Sequence, residues 1–207
     1  MKVTELPGAT DDPRAGKTHR KILEAAARQF SACGFHGANM RDVAADAGIL
    51  VGSIYYHFES KEALFVAVHG AAVELMIEAV CRAIQGITDP WERLEKAAAA
   101  HCEILNGDSP FVGVIAPIFP AALAGMRSQL TAQRDTYESI FKELVPELGL
   151  DPDIDPKVFR LHFLAALNGT KFWYGRGDKT PSEVGRQLVQ MLKRPLPDKP
   201  AGTIVVE

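Results

Sequence analysis

From Asn39 to Phe58 the chain reads N-M-R-D-V-A-A-D-A-G-I-L-V-G-S-I-Y-Y-H-F. This run admits little besides two short amphipathic helices meeting at a sharp angle. Asn39 is a good N-cap, and Asp42 three residues on completes a box-like pair with it. Ala44, Ala45 and Ala47 are small enough for close helix approach. Gly48 permits a sharp turn, and Ile49 plugs the angle between the two helices. Ile54 and Phe58 then mark the buried side of the second short helix.

The surrounding sequence has helical apolar spacing almost throughout, and no stretch alternates as a strand. Ile22, Ala26 and Phe30, with Leu23 beside them, form a stripe ending at Cys33-Gly34, a first helix of roughly four turns. Ser60 caps a fourth helix running to about Gly86. Asp89-Pro90-Trp91-Glu92 opens another, with the stripe Trp91, Leu94, Ala98, His101, Leu105. The apolar segment from Pro110 to Leu123 is interrupted by prolines. Further helices are expected from about Arg127 to Leu144, from Asp155-Pro156 to about Tyr174, and from the capping box Thr180-Pro181-Ser182-Glu183 onward. Pro195, Pro197 and Pro200 end regular structure. The expectation is an all-α chain of about nine helices: a three-helix domain at 14–62, a larger helical body at 63–194, and flexible tails at 1–13 and 195–207.

Charge and cysteine content narrow the class. The net charge of −3 is uneven: Arg14 to Glu62 holds seven Lys/Arg against five Asp/Glu, leaving +2 there and −5 elsewhere. A polyanion is drawn to the N-terminal end and repelled by the rest. Cys33, Cys81 and Cys102 are odd in number, far apart and never in a C-x-x-C pair. That argues against a disulfide framework or a zinc site and fits a reducing cytoplasm. No signal peptide is read at the N-terminus, and Phe111 to Ala124 is too short to span a bilayer, so no membrane partner is expected.

Two short helices around a glycine are the layout of a helix-turn-helix, whose second helix enters the major groove of duplex DNA. Read this way, Val51, Gly52, Ser53, Tyr55 and Tyr56 are available to the groove. Arg41, Tyr55, His57 and Lys61 can donate to phosphates, which sets register without reading sequence. A helical hairpin inside an unrelated α-protein, its tyrosines packed, fits the two helices alone.

Beyond the hairpin, four runs resemble the tetracycline-repressor (TetR) family of bacterial regulators: I-L-E-A-A-A-R-Q-F from Ile22, G-F-H-G-A-N-M-R-D-V-A from Gly34, A-G-I-L-V-G-S-I-Y-Y-H-F from Ala47, and S-K-E-A-L-F from Ser60. The resemblance spans about fifty residues. It implies a recognition helix at Val51 to Phe58, backbone contacts from Asn39, Arg41, Tyr55, His57 and Lys61, and base-facing positions at Val51, Gly52, Ser53 and Tyr56. Two departures bear on readout. Many relatives carry Ser or Thr where this chain has Leu50, and Lys, Arg or Pro where it has Val51. The N-cap oxygen and a guanine-reading cation are both missing, so readout is expected to lean on thymine methyls, the Ser53 hydroxyl and groove shape.

The same resemblance implies a twofold dimer through the last two long helices, about Pro156 to Tyr174 and Pro181 to Lys193, and hence a near-palindromic operator. Ala165, Ala166, Gly169 and Thr170 offer a small-residue face, and Phe159, Phe163, Leu164 and Leu167 apolar area. These residues are equally compatible with a monomer core. Trp91, Leu94, His101, Cys102 and Leu105, with Phe111 at the start of the proline-broken segment, are candidates for lining an effector cavity, though such a stripe also serves as plain core. The stretch L-N-G-T-K-F-W-Y, the following T-P-S-E and the G-I-L-x-G-S turn are similar to TetR-type regulators that sense fatty-acyl or other CoA thioesters. The implied function is a cytoplasmic homodimeric repressor released from its operator by a small hydrophobic or CoA-thioester ligand. A DNA-binding regulator without such a ligand is the alternative.

Catalysis has no footing in the sequence. There is no P-loop, nucleophile elbow, H-E-x-x-H pair or dinucleotide fingerprint. Asp151, Asp153 and Asp155 start like a calcium loop, but Pro156 and His162 occupy positions that need glycine and glutamate. No catalytic residue, metal ligand or cofactor is expected.

Overall fold

The computed structural model of the protein describes residues 13–115, 119–175 and 177–193, with side chains from residue 16. Apart from Pro13, both expected tails lie outside the described residues, as do Pro117 and the Arg14 side chain. Eight α-helices follow in order: α1 Pro13–Gly37, α2 Met40–Ala47, α3 Val51–His57, α4 Lys61–Ile84, α5 Pro90–Leu105, α6 Arg127–Leu144, α7 Pro156–Trp173 and α8 Pro181–Lys193. No strand occurs among the described residues. Among the described residues there are eight α-helices, where about nine were expected. The proline-broken segment forms two 3-10 turns, Val112–Val114 and Ala121–Met126, because proline withholds the N–H that a continuing α-helix needs. A third 3-10 turn, Val145–Leu148, follows α6.

Local chemistry sets the helix ends. Asn39 Oδ1 accepts from the N–H groups of Arg41 and Asp42 (3.0 and 2.9 Å), and Asn39 Nδ2 donates to the Asp42 carboxylate. Gly48 closes α2 at φ 68°, its N–H directed at the Ala44 and Ala45 carbonyls. Ser60 Oγ accepts from Ala63 N (3.0 Å) at the start of α4. Asp89 and Asp155 cap α5 and α7. Thr180 N donates to Glu183 Oε2 (2.7 Å) while Glu183 N donates back to Thr180 Oγ1 (3.3 Å), a reciprocal capping box. These bonds hold Glu183 below the usual carboxylate range. α1 is longer than its apolar stripe, and its regular path breaks at Gly34 (φ 70°).

Two compact units are present, one comprising the chain through Glu78 together with Gly107–Ile140, the other Ala79–Asn106 and the chain from Phe141 on. The first therefore includes more than the expected 14–62. Its core joins Ile22, Ala26 and Phe30 of α1, Val43 and Ala44 of α2, Ile54 of α3 and Leu64, Val68 and Ala72 of α4 with Val114, Leu123 and Leu130. A side chain on Gly113 would put its Cβ 2.0 Å from Ser31 Oγ, so the 3-10 turn touches α1 where only glycine fits. A polar clamp ties α4 to α6 inside this unit. Buried His69 Nδ1 donates to Gln133 Oε1 (2.7 Å), and Gln133 Nε2 donates to the Val66 carbonyl (3.2 Å). By length and composition α4 is apolar enough to cross a bilayer, a segment the sequence reading passed over, but its apolar residues supply this core.

In the second unit α8 packs chiefly along α5. Phe163 stacks on Phe159 and meets Phe141 at a tilt (ring centroids 6.2 and 6.1 Å). Helix α7 carries apolar residues on two opposite sides. Phe163, Leu164, Leu167 and Thr170 are buried within the chain, whereas Val158 (64% exposed), Leu161, Ala165 and Phe172 (73%) face outward. Four of the eight residues expected on a dimer face thus fill the monomer core.

The α5–α8 crossing rests on Gly185, where a Cβ would lie 2.3 Å from the Ala98 carbonyl oxygen. Backbone cannot yield as a flexible side chain does. Gly185→Ala is expected to lower the unfolding free energy by about 3 kcal/mol in urea titrations; a wild-type midpoint would show that the helices can separate there freely.

Candidate nucleic-acid interface

Helix α3 is held on one side only. Ile54 is fully buried and Phe58 nearly so, anchoring its inner face to α1, α2 and α4. The outer face carries Gly52, Tyr55 (53% exposed) and Tyr56 (84%). This is the geometry a reading helix needs: a rigid back and a solvent-facing front that protrudes into a groove. His19 of α1 lies against Phe58 (centroids 4.9 Å) and His57 (5.9 Å), bracing the C-terminal end of α3. Burial, then the neighbouring His57, keep the His19 pKa below its ordinary value. Arg28 Nε pairs with Asp46 Oδ2 at 2.9 Å and fastens α1 to α2.

The nine residues expected to touch DNA do not share one environment. Arg41, Gly52, Tyr55 and Tyr56 are exposed; Ser53 and His57 are half-buried. Asn39 is exposed, but its amide is engaged in capping α2. Val51 is half-buried and packs against the core. Lys61 Nζ donates to the Ala38 carbonyl at 2.9 Å and sits 4.5 Å from the Phe35 ring centroid. Its charge thus ties α4 to the end of α1 in this conformation. Sequence reasoning missed the brace from His19 and the exposure of Leu50, since neither residue belongs to the apolar stripes.

Comparison with known proteins agrees with this arrangement. Residues 22–68 match the model for bacterial regulatory proteins of the tetR family. Residues 88–196, more than half the chain, match the tetracyclin repressor-like C-terminal domain. The chain belongs to the tetR family. This tetR-family chain is a DNA-binding transcriptional regulator rather than an enzyme. It is 25% identical over 179 residues to the HTH-type transcriptional repressor KstR2 of Mycobacterium tuberculosis, covering 83% of this chain and 89% of that protein. It is 34% identical over 98 residues to the HTH-type transcriptional activator FasR of Mycolicibacterium smegmatis, where the match spans 47% of this chain and 43% of FasR. Among solved structures, AibR in complex with isovaleryl coenzyme A and operator DNA is similar, with TM-score 0.69 and 26% identity over 84% of this chain and 97% of AibR.

Of the residues expected in an effector cavity, five lie on α5 in the second unit, while half-buried Phe111 belongs to the first. Leu94, His101, Cys102 and Leu105 are buried as core, and Trp91 Nε1 donates to the Leu148 carbonyl at 3.0 Å. Around them is a polar cluster. Asn106 Nδ2 donates to the Cys102 carbonyl (2.9 Å) and to Thr170 Oγ1 (3.0 Å), and Thr170 Oγ1 donates to the Leu167 carbonyl (2.7 Å). Burial pushes the Cys102 thiol up to about 11, against a hydrogen bond with Thr170. Burial also pulls His101 down to about 4, opposed by a hydrogen bond with Asn168. Both groups are neutral at pH 7. Among the described residues no three His, Cys, Asp or Glu side chains converge as a metal site.

The state of His101 makes stability depend on pH. Its native pKa lies below its unfolded value of about 6.5, so the unfolded chain binds the proton more readily. The contribution is complete above pH 6.5 and is lost as pH falls toward 4, roughly 3 kcal/mol in all. Urea unfolding across that window should show a shallower decline for His101→Gln than for wild type; parallel declines would mean His101 is already charged in the native state. Lys61→Ala should lower stability without DNA present by about 1 kcal/mol through loss of the Ala38 bond and the contact with Phe35. An unchanged melting curve would leave Lys61 free for phosphate alone.

Proposed function

We propose that the chain is a homodimeric repressor that binds a near-palindromic operator and leaves it when a CoA thioester or another small hydrophobic ligand occupies the second unit. The observation that carries this reading is the outward apolar side of α7. Val158, Leu161, Ala165 and Phe172 recur at helical spacing on one face, and Met191 and Leu192 of α8 are exposed as well. Gly169 on the same face has nothing within 4 Å of where a Cβ would stand, leaving room for close helix approach. Bare apolar surface of this kind calls for a second copy. Two copies of α3 related by a twofold axis then read two half-sites of a palindrome.

The assignment of DNA contacts follows the front of the first unit. Tyr55, Tyr56, Gly52 and Ser53 face the groove, with Arg41 and His57 toward phosphates. Asn39 and Lys61 contribute mainly by fixing α2 and α4. Repression accords with KstR2, and the thioester with AibR, whose structure holds isovaleryl coenzyme A and operator DNA. A ligand preferring a conformation with the wrong spacing between recognition helices lowers operator affinity by its differential binding to the two states. Helices α4 and α6 run through both units and are the natural carriers of such a change.

The test begins by selecting duplexes bound by the full-length protein and reading the enriched sequence. A palindrome is expected, with affinity falling steeply as salt rises. Leu161→Glu should shift sedimentation from dimer to monomer and weaken operator binding at least about tenfold, because paired reading is lost. A dimer unaffected by that change would refute the α7 face. Acyl-CoA thioesters of increasing chain length, with free CoA as control, should raise the melting temperature and release the operator. If none does either, the regulator works without this class of ligand.

A further inference from the structure

Between Gly48 and Phe58 the chain contains no Arg, Lys, Asn, Gln, Asp or Glu. These are the side chains that make hydrogen bonds to base edges in bidentate or acceptor form. The reading helix therefore has only the Ser53 and tyrosine hydroxyls and His57 for polar contacts, and apolar groups for the rest. Val51, the aliphatic residue expected to supply the apolar contact, turns partly into the core. Leu50 does not. It stands immediately before α3 in extended conformation (φ −73°, ψ 145°). Its carbonyl accepts the first helical bond, from Ser53 N at 2.9 Å, while its side chain is 81% exposed. Among the described large apolar side chains only Tyr56 is more exposed.

We infer that Leu50 is a specificity-determining residue, reading the C5 methyl group of a thymine in each operator half-site. The inference rests on the DNA-binding reading above and deepens it. Three observations support it. The first turn of a recognition helix is the part that approaches base edges. The thymine methyl is the apolar group that the major-groove face of a base pair displays. A leucine in solvent at that point adds nothing to the fold of the free chain, and a polar residue there would cap α3. The backbone at Leu50 is set by the turn at Gly48 behind it and by the Ser53 bond ahead, which directs the side chain outward from the start of α3.

The experiment uses the full-length protein and the duplex enriched by selection. Each thymine of that operator is replaced in turn by deoxyuridine, which lacks only the methyl group. Wild-type protein is expected to lose about fourfold in affinity per methyl at one thymine position of each half-site. Leu50→Ala should bind the thymine operator more weakly by a similar factor and lose nothing further at that position, while still responding to replacement elsewhere. Leu50→Met, which keeps apolar reach, should retain the wild-type pattern. The assignment is overturned if Leu50→Ala responds to every replacement as wild type does, or if no thymine in the enriched operator is sensitive. Failure to enrich any duplex would overturn the DNA-binding reading as well, and so is distinct from those two outcomes.

Discussion

One shared apolar core fixes where the reading helix points. Ile54 and Phe58 attach α3 to it from behind, yet the core is larger than three short helices could build. Helix α4 contributes Leu64, Val68 and Ala72, and the segment after α5 contributes Val114, Leu123 and Leu130. A helix of seven residues has almost no stability of its own, since nucleation alone outweighs so few hydrogen bonds. Its orientation is therefore inherited from the surfaces it packs on. Anything that repacks α4 or residues 112–130 can re-aim α3 without touching DNA.

Polar groups within both cores act on register rather than on bulk stability. His69 and Gln133 join α4 to α6 through directed bonds in apolar surroundings, and Asn106 with Thr170 does the same between α5 and α7. A sliding helix would leave these groups buried without partners, which costs far more than the bonds contribute when made. Each clamp thus favours discrete arrangements over gradual ones.

Features governed by near neighbours were legible in the chain. Asn39, Gly48, Ser60, Asp89, Asp155 and the Thr180–Glu183 pair all cap helices as their spacing implies, because a cap needs partners only two or three residues away. The bounds of α6 follow from its stripe for the same reason. What sequence could not supply was direction. Leu50 and Val51 are adjacent aliphatic residues, and only the angle set at Gly48 sends one outward and the other inward. Lys61 reads as a phosphate donor until the Ala38 carbonyl, distant along the chain, is brought beneath it. The α7 residues that fit a dimer face and a monomer core equally well divide between the two sides of the helix, with Phe163, Leu164, Leu167 and Thr170 buried. The placing of residues 107–140 with the N-terminal helices depends on contacts across the whole first unit, which no local pattern encodes.

That placing bears on how such regulators can be recombined. The close fit of Gly113 against Ser31 means that the N-terminal helices have shaped themselves to a particular strap from later in the chain. A chimera joined after α3 or midway along α4 would set a foreign strap against α1, where any side chain in place of glycine collides. Grafting the DNA specificity of this protein onto another regulator would require moving residues 107–140 with the N-terminal helices, as one discontinuous cassette.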